Sequence, residues 1–242
     1  MPMEVRPYNQ QSTKKEQVEE MFDNIAPNYD LLNRVLSLGI DTIWRKKAIR
    51  TIKKQTPTHL LDIATGTADL AIEANKLLNP NHVTGIDISN EMLEYGRKKL
   101  DKKGLSEKIT LLKEDSENLS FSDGTFDVAT AAFGVRNFEN LDKGLSEIHR
   151  VLELDGQLIV LEFTKPISFP FKQLFNIYFK YFLPVIGKFK SKDSRAYKYL
   201  YESVQAFPDY DQFLERMKKA GFSECSYKKL SLGICAIYQG FK

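Results

Sequence analysis

The stretch His59-Leu-Leu-Asp-Ile-Ala-Thr-Gly-Thr-Ala-Asp-Leu-Ala71 decides how this chain is read. An apolar run closes on Asp62, crosses a turn of small residues around Gly66 and re-enters a helical pattern at Asp69. A second apolar run, His82 to Asp87, also closes on an acid. A strand, a tight Gly-containing turn and a helix N-terminus make a nucleotide cradle. Small side chains admit the backbone to the ligand, and a carboxylate after the second strand grips ribose hydroxyls. The turn holds a single glycine where a dinucleotide fingerprint has three. That shortage points away from a pyrophosphate and toward a smaller nucleoside cofactor.

Outward from this motif, short apolar runs alternate with helical periodicity. Strands are expected over His59–Ile63, His82–Asp87, Lys108–Lys113, Phe126–Phe133 and Gly156–Phe163. Helices are expected over Asp69–Leu78, Asn90–Lys102 and Leu141–Leu152, with Ser89 or Asn90 as a cap and Gly104 as a stop. This order implies a parallel sheet with helices on both faces. Pro208–Ala220 then reads as a helix, and Phe222–Leu230 with Ile234–Phe241 as a hairpin that adds an antiparallel edge strand. The expected organisation is a single domain. It comprises a flexible arm (1–15), a helical cap of two or three helices (16–57), a cofactor-binding core (58–163), an aromatic insertion (164–207) and a C-terminal helix and hairpin (208–242).

Composition narrows the function classes. The 242 residues suffice for a full core without staples, and a net charge of +3 gives no footprint for nucleic acid. Cys225 and Cys235 form no framework, which fits a reducing cytoplasm. The three histidines, His59, His82 and His149, have no ligand spacing, so no metal is expected. No run approaches the ~20 apolar residues of a spanning helix, and the polar start is not a signal peptide.

Asp115, just after the third strand, is the third acid at a strand C-terminus, beside Asp62 and Asp87. Ligands of open α/β sheets bind outside these ends, so the three make a polar crescent. Gly66 and Thr67 turn backbone N–H groups toward the ligand, and Asp115-Ser116 offer a carboxylate and an amide to an adenine edge.

This pattern resembles the class I S-adenosylmethionine-dependent methyltransferases. A narrower likeness rests on Tyr29-Asp-Leu-Leu-Asn-Arg-Val-Leu-Ser37 with Trp44, Phe133-Gly-Val-Arg-Asn137, Leu161-Glu-Phe-Thr-Lys-Pro166 and Tyr197 to Ser203. These segments are similar to the menaquinone and ubiquinone biosynthesis C-methyltransferases. Two positions depart from that family. Asp41 stands where it commonly has His, which removes any catalytic His from the cap, and Ala68 stands where it has Gly, at little expected cost. Arg150 to Gly156 is a loose form of the family's Lys-Pro-Gly-Gly turn, expected to turn at Gly156.

The resemblance implies a Rossmann-like, mostly parallel seven-stranded sheet with one antiparallel strand. It also implies S-adenosylmethionine as cofactor and a prenylated demethylnaphthoquinol as methyl acceptor. Demethylmenaquinol is the first reading, with the benzoquinol step of ubiquinone synthesis, or both, as the near alternative. A nicotinamide oxidoreductase and a non-catalytic cofactor-binding subunit are the readings from other classes. Arg136 and Asn137 would activate the acceptor, with Tyr201 and Tyr197 as weaker candidates; Arg136 as a plain ion-pair partner is the structural alternative. Tyr29 would close over the cofactor from the cap. The stretch Phe163 to Lys192 holds six lysines, many aromatics and no acid, as suits either a greasy lid or peripheral contact with an anionic membrane. Oligomeric state stays open, a homodimer included.

Overall fold

The computed structural model describes residues 5–8, 11–54, 56–167, 169–170, 172–173, 177 and 195–242. Seven strands form one sheet: β1 (His59–Ile63), β2 (His82–Asp87), β3 (Ile109–Lys113), β4 (Phe126–Ala132), β5 (Leu152–Phe163), β6 (Ser223–Leu230) and β7 (Cys235–Phe241). Their order across the sheet is β3-β2-β1-β4-β5-β7-β6, with β1 to β5 mutually parallel and β7 antiparallel to both its neighbours. The reversed strand is therefore internal, and β6 forms the edge, where the sequence suggested an antiparallel edge. Burial explains the placement. Cys235, Ala236, Ile237 and Tyr238 of β7 are buried, while Ser223, Glu224, Ser226, Lys228 and Lys229 of β6 face solvent. Charged side chains belong on an edge.

Two cores flank the sheet. Alternate residues of each strand point to opposite faces, so Leu60, Ile159 and Leu161 join one core and Leu61, Leu158 and Val160 the other. The first core is covered by α3 (Ile40–Ile49), α4 (Asp69–Leu78) and α5 (Asn90–Lys103). The second is covered by α6 (Leu141–Val151) and α8 (Asp211–Lys219), with α7 (Arg195–Ala206) preceding the latter. Ser89 caps α5 by accepting the Met92 N–H at 3.1 Å, and Gly104 ends it in the left-handed conformation at φ +66°.

The N-terminal segment departs from expectation. α1 (Lys14–Ile25) starts inside the supposed arm because Thr13 and Glu16 form a capping box. That Ser/Thr-x-x-Glu signal is present in the sequence. A short 3₁₀ turn, Ala26–Asn28, leads into α2 (Tyr29–Ser37). Helix α3 begins at Ile40, after Gly39 at φ +75°, rather than at Asp41-Thr42.

Two loops also correct the sequence reading. The turn before the main run of β5 places the positive φ on Asp155 (+63°) rather than on Gly156, and the ladder shifts register between Phe126 and Val128. A Cβ on Gly156 would lie 2.7 Å from the Glu153 carbonyl oxygen, so that glycine serves close approach instead. Ala68 adopts φ +67°. Its cost is conformational, ~1 kcal/mol for a left-handed L-residue, and room for a ligand is not the issue.

The turns after β1 and β4 pack with almost no clearance, since a Cβ on Gly134 would stand 2.5 Å from the Ala64 Cβ. Ala64 itself sits at φ +51°, where glycine is at ease. Gly134→Ala should therefore destabilise the protein by ~1–3 kcal/mol in chemical denaturation. The double variant Ala64→Gly/Gly134→Ala should recover most of that loss. Equal stability of the two variants would show that the contact is not limiting.

Candidate active site

The C-terminal ends of β1, β2, β3 and β4 open into a cleft with an empty volume of about 670 Å³. Its floor is built by the parallel register, which pairs Asp62 with Gly85 and Asp87 with Lys113 and so stacks the strand ends at one level. Ala64, Gly66, Asp87, Asp115, Ser116 and Asn137 all line it, and Tyr29, Phe22 and Val18 close it from the helical cap. The structure thus brings six of the residues singled out from sequence, Tyr29, Gly66, Asp87, Asp115, Ser116 and Asn137, to one cleft; Asp62 and Thr67 line a smaller cavity beside it, while Arg136 and Tyr201 line neither.

Asp87 is buried and accepts two backbone N–H groups, Gly66 at 2.8 Å on Oδ2 and Ser89 at 2.9 Å on Oδ1. Burial pushes its pKa up to about 6 against these hydrogen bonds, and Asp23 adds to the rise. Asp62 is also pushed up to about 6 by burial, opposed by the hydroxyls of Thr65 (2.6 Å) and Thr130 (2.8 Å) that donate to it. It lines a smaller cavity of about 310 Å³ that shares Tyr29, Ala64 and Ala132 with the cleft. Asp115 accepts the Glu117 N–H at 2.9 Å and pairs with Lys15 of α1 at 2.6 Å. The Thr67 hydroxyl turns to Asp30 (2.5 Å) and takes a hydrogen bond from Lys99 (3.0 Å), so its side chain serves the junction of α2 with α5.

Tyr29 sits over the glycine turn, within 3.7 Å of where a Gly66 Cβ would be, and stacks edge-on against Phe22. Burial raises its pKa, so it stays a neutral phenol. Gly134 starts a 3₁₀ turn, Val135–Asn137, that carries the other two candidates. Arg136 pairs with the fully buried Glu162 at 2.8 Å, donates to the Phe133 carbonyl oxygen and lies 5.7 Å from the centre of the Phe163 ring. Burial lifts the pKa of Glu162, and Arg136 opposes that rise. Arg136 Nε and Asn137 Oδ1 are buried without a hydrogen-bond partner among the described residues. Tyr201 lies in a separate apolar cluster with Tyr197, Leu200, Val204, Phe163 and Ile234.

Sequence reasoning missed Lys15, Arg45 and Glu162. The capping box could have placed Lys15 on a helix. Glu162 reads as part of an apolar strand, and only the fold shows which face it takes. Among the described residues no cluster of His, Cys, Asp or Glu could hold a metal ion.

The arrangement offers a buried carboxylate at Asp87, a polar end at Asp115-Ser116 and a close-packed glycine turn, a lining that an adenosyl cofactor fits. The model of the ubiE/COQ5 methyltransferase family matches residues 10–242. The chain belongs to that family. A demethylmenaquinone methyltransferase of Bacteroides fragilis is 50% identical over 238 residues, covering 98% of this chain and 97% of the relative. One of Porphyromonas gingivalis is 44% identical over 242 residues, 100% of this chain and 99% of the relative. A ubiquinone/menaquinone biosynthesis C-methyltransferase of Geotalea daltonii is 45% identical over 230 residues, 95% and 97% of the two chains.

Solved structures agree on the fold. A SAM-dependent methyltransferase of Aquifex aeolicus aligns with TM-score 0.59 at 18% identity, over 81% of this chain and 88% of the other. The [4+2]-cyclase SpnF aligns with TM-score 0.69 at 17% identity, over 96% and 97%. A cyclase on the same scaffold shows that the fold alone does not set the reaction. Family membership does: the protein is an S-adenosylmethionine-dependent methyltransferase, and the nicotinamide reading falls.

We propose Asp87 as the acceptor of the cofactor's ribose hydroxyls, a task that on top of its backbone bonds requires the ionised carboxylate. A carboxyl titrating at about 6 takes up its proton as pH falls through that value, and cofactor affinity falls with it. For folding the sign is reversed, because a raised native pKa makes protonation stabilise the native state as pH drops toward the unfolded value of ~3.9. Calorimetric titration with S-adenosylhomocysteine should show several-fold weaker binding at pH ~5 than at pH ~7.5. Asp87→Asn should bind weakly with a shallower profile. Flat affinity over this range in the unmodified protein would remove Asp87 from the ribose site.

Proposed function

We propose that this chain transfers a methyl group from S-adenosylmethionine to a ring carbon of a reduced, prenylated naphthoquinone, converting demethylmenaquinol to menaquinol. The names of the Bacteroides and Porphyromonas relatives support the substrate. The observation that carries the chemistry is the pair of partnerless buried atoms on adjacent residues, Arg136 Nε and Asn137 Oδ1. One is a donor and the other an acceptor, and a phenolic hydroxyl is both.

When bound, the cofactor supplies an electrophilic methyl group on a sulfonium centre. What the protein adds is position and field. A ring carbon attacks well only when its neighbouring hydroxyl is ionised, and a phenol of pKa ~10 is ionised in roughly one molecule in a thousand at pH 7. Arg136 stabilises the oxyanion that remains once the hydroxyl gives up its proton, and Asn137 orients that hydroxyl beforehand. Glu162 balances the Arg136 charge and fixes its direction. The phenolic proton leaves first; as the new carbon–carbon bond forms, the methyl–sulfur bond breaks and leaves its electron pair on a neutral thioether. The ring C–H proton then leaves to solvent while the oxygen takes a proton back, which restores the aromatic quinol with a net release of one proton.

Arg136→Ala is a poor probe because it strands a buried Glu162, a loss of ~3–5 kcal/mol. Asn137→Ala leaves no charge behind. It should bind S-adenosylhomocysteine normally and turn over ~10²–10³-fold more slowly. In a host strain lacking this chain, mass spectrometry of extracted quinones should show a naphthoquinone one methyl group short. The unmodified chain should restore the methylated species and Asn137→Ala should not. An unchanged quinone profile in the deletion strain would overturn the assignment. The Geotalea relative's name covers both quinone classes, so dual activity is the second reading, and a benzoquinone short of one methyl in the same extract would support it.

We infer also a peripheral contact with anionic membrane. Among the described residues no helix is long and apolar enough to cross a bilayer. Leu38, Ile43, Ile167 and Phe169 nevertheless stand at 83%, 51%, 68% and 80% exposure, and Lys46 and Lys47 are exposed a few residues after Ile43. Most of the aromatic, lysine-rich segment expected to take part lies outside the described residues. Vesicles with anionic lipid should sediment the protein, and reversing Lys180, Lys188, Lys190 and Lys192 to Glu should weaken binding at least ~100-fold, since each lysine contributes ~1 kcal/mol at such a surface. Undiminished binding by that variant would refute the electrostatic contact.

A further inference from the structure

The smaller cavity behind Tyr29 has a charge pattern that the cleft lacks. Two carboxylates, Asp62 and Asp69, line it together with one guanidinium, that of Arg45. Arg45 is almost fully buried, with 8% of its side chain exposed. It is held from behind by Asp41 one helical turn earlier on α3, and the Ser37 hydroxyl donates to the other Asp41 oxygen at 2.6 Å. Asp69 lies 3.9 Å from the same Arg45 nitrogen, and the Phe133 ring centre lies 5.7 Å from the guanidinium carbon.

A guanidinium has five N–H donors in a planar fork. Among the described residues the Arg45 side chain makes one hydrogen bond, through Nη1 to Asp41. The rest of the fork is not committed there. A buried cation carrying spare donors calls for an anionic oxygen ligand. Of the two acids, Asp69 is already paired with Lys99 at 2.7 Å, while Asp62 has no ion-pair partner within 4 Å among the described residues and calls for a cation. A ligand that satisfies both carries a carboxylate and an ammonium on one short tail.

We propose that Arg45, positioned by Asp41, holds the α-carboxylate of the cofactor's amino-acid end, with the α-ammonium turned toward Asp62. The order of the sheet supports the placement. Asp115 marks the end of β3, Asp87 the end of β2, and Asp62 the end of β1, and these three strands lie side by side. A nucleoside spanning the first two delivers its tail past Gly66 and Tyr29 to the third, where the two cavities join. Asp41 takes on a role here that its position in the cap did not suggest: with no histidine at this place, its carboxylate aims a cation inward.

The test compares two ligands on the full chain. S-adenosylhomocysteine carries the amino-acid end, and 5′-methylthioadenosine has the same nucleoside and thioether without it. The variant Asp41→Ser/Arg45→Met removes both members of the buried pair and leaves no stranded charge. By calorimetry its affinity for S-adenosylhomocysteine should fall roughly 10- to 100-fold, the range of a charge-assisted hydrogen bond. Its affinity for 5′-methylthioadenosine should stay within about twofold on the same scale. If both ligands weaken together, the pair supports the fold of the cavity and the proposal fails. If neither weakens, Arg45 does not touch the carboxylate. Should the double variant not fold, Arg45→Lys keeps the charge and loses the fork, and the same differential between the two ligands is required of it.

Discussion

Everything at this site depends on how the turn after β1 is tied to the end of β2. The Thr65 N–H donates to the Ile86 carbonyl at 2.9 Å, and the Gly66 N–H donates to the Asp87 carboxylate at 2.8 Å. These two bonds lock a loop to the neighbouring strand end, so the Asp87 carboxylate and the glycine turn move as one body. The cost appears in the backbone. Ala64, Ala68 and Phe133 all adopt positive φ around the cleft, and strain of this kind collects where close approach to a ligand matters more than local ease.

A second theme is that each cation near the cleft is held by its own acid. Lys15 has Asp115, Arg45 has Asp41, and Arg136 has Glu162. Pairing makes burial of the charge tolerable and fixes its direction. It also means that single truncations at these places report two things at once, the lost contact and the stranded partner. Beside the Arg136 pair, Arg136 Nε and Asn137 Oδ1 stay without a hydrogen-bond partner among the described residues, and they lie on the turn that Gly134 brings against Ala64.

Much of the core was legible because parallel strands buried on both faces read as unbroken apolar runs. His82–Asp87 was read with its final bounds, and the acids at the ends of β1, β2 and β3 followed from counting along such runs. Pairing partners were less legible. Whether β7 or β6 takes the edge depends on comparing two strands of one hairpin, and the lysines of β6 carry that information. Thr67 shows the limit of motif reading: its backbone lies in the turn, but its hydroxyl is drawn off by Asp30 and Lys99, from elements distant in sequence. Arg45 was hidden for the same reason. On α3 it is one basic residue among several, and only the folded chain shows that Asp41 directs it inward while Lys46 and Lys47 face water.

The aromatic cluster where the cap meets the sheet has a further consequence. The chain has a single tryptophan. Trp44 is buried, donates its indole N–H to Ser231 at 2.9 Å and stands 6.3 Å from the Phe133 ring and 6.1 Å from the Phe163 ring. Phe133 also lines the cleft. Tryptophan emission from the whole molecule therefore arises from one indole wedged between cap, cleft and C-terminal hairpin. The protein carries its own optical gauge of how tightly those three parts are seated, without any added label.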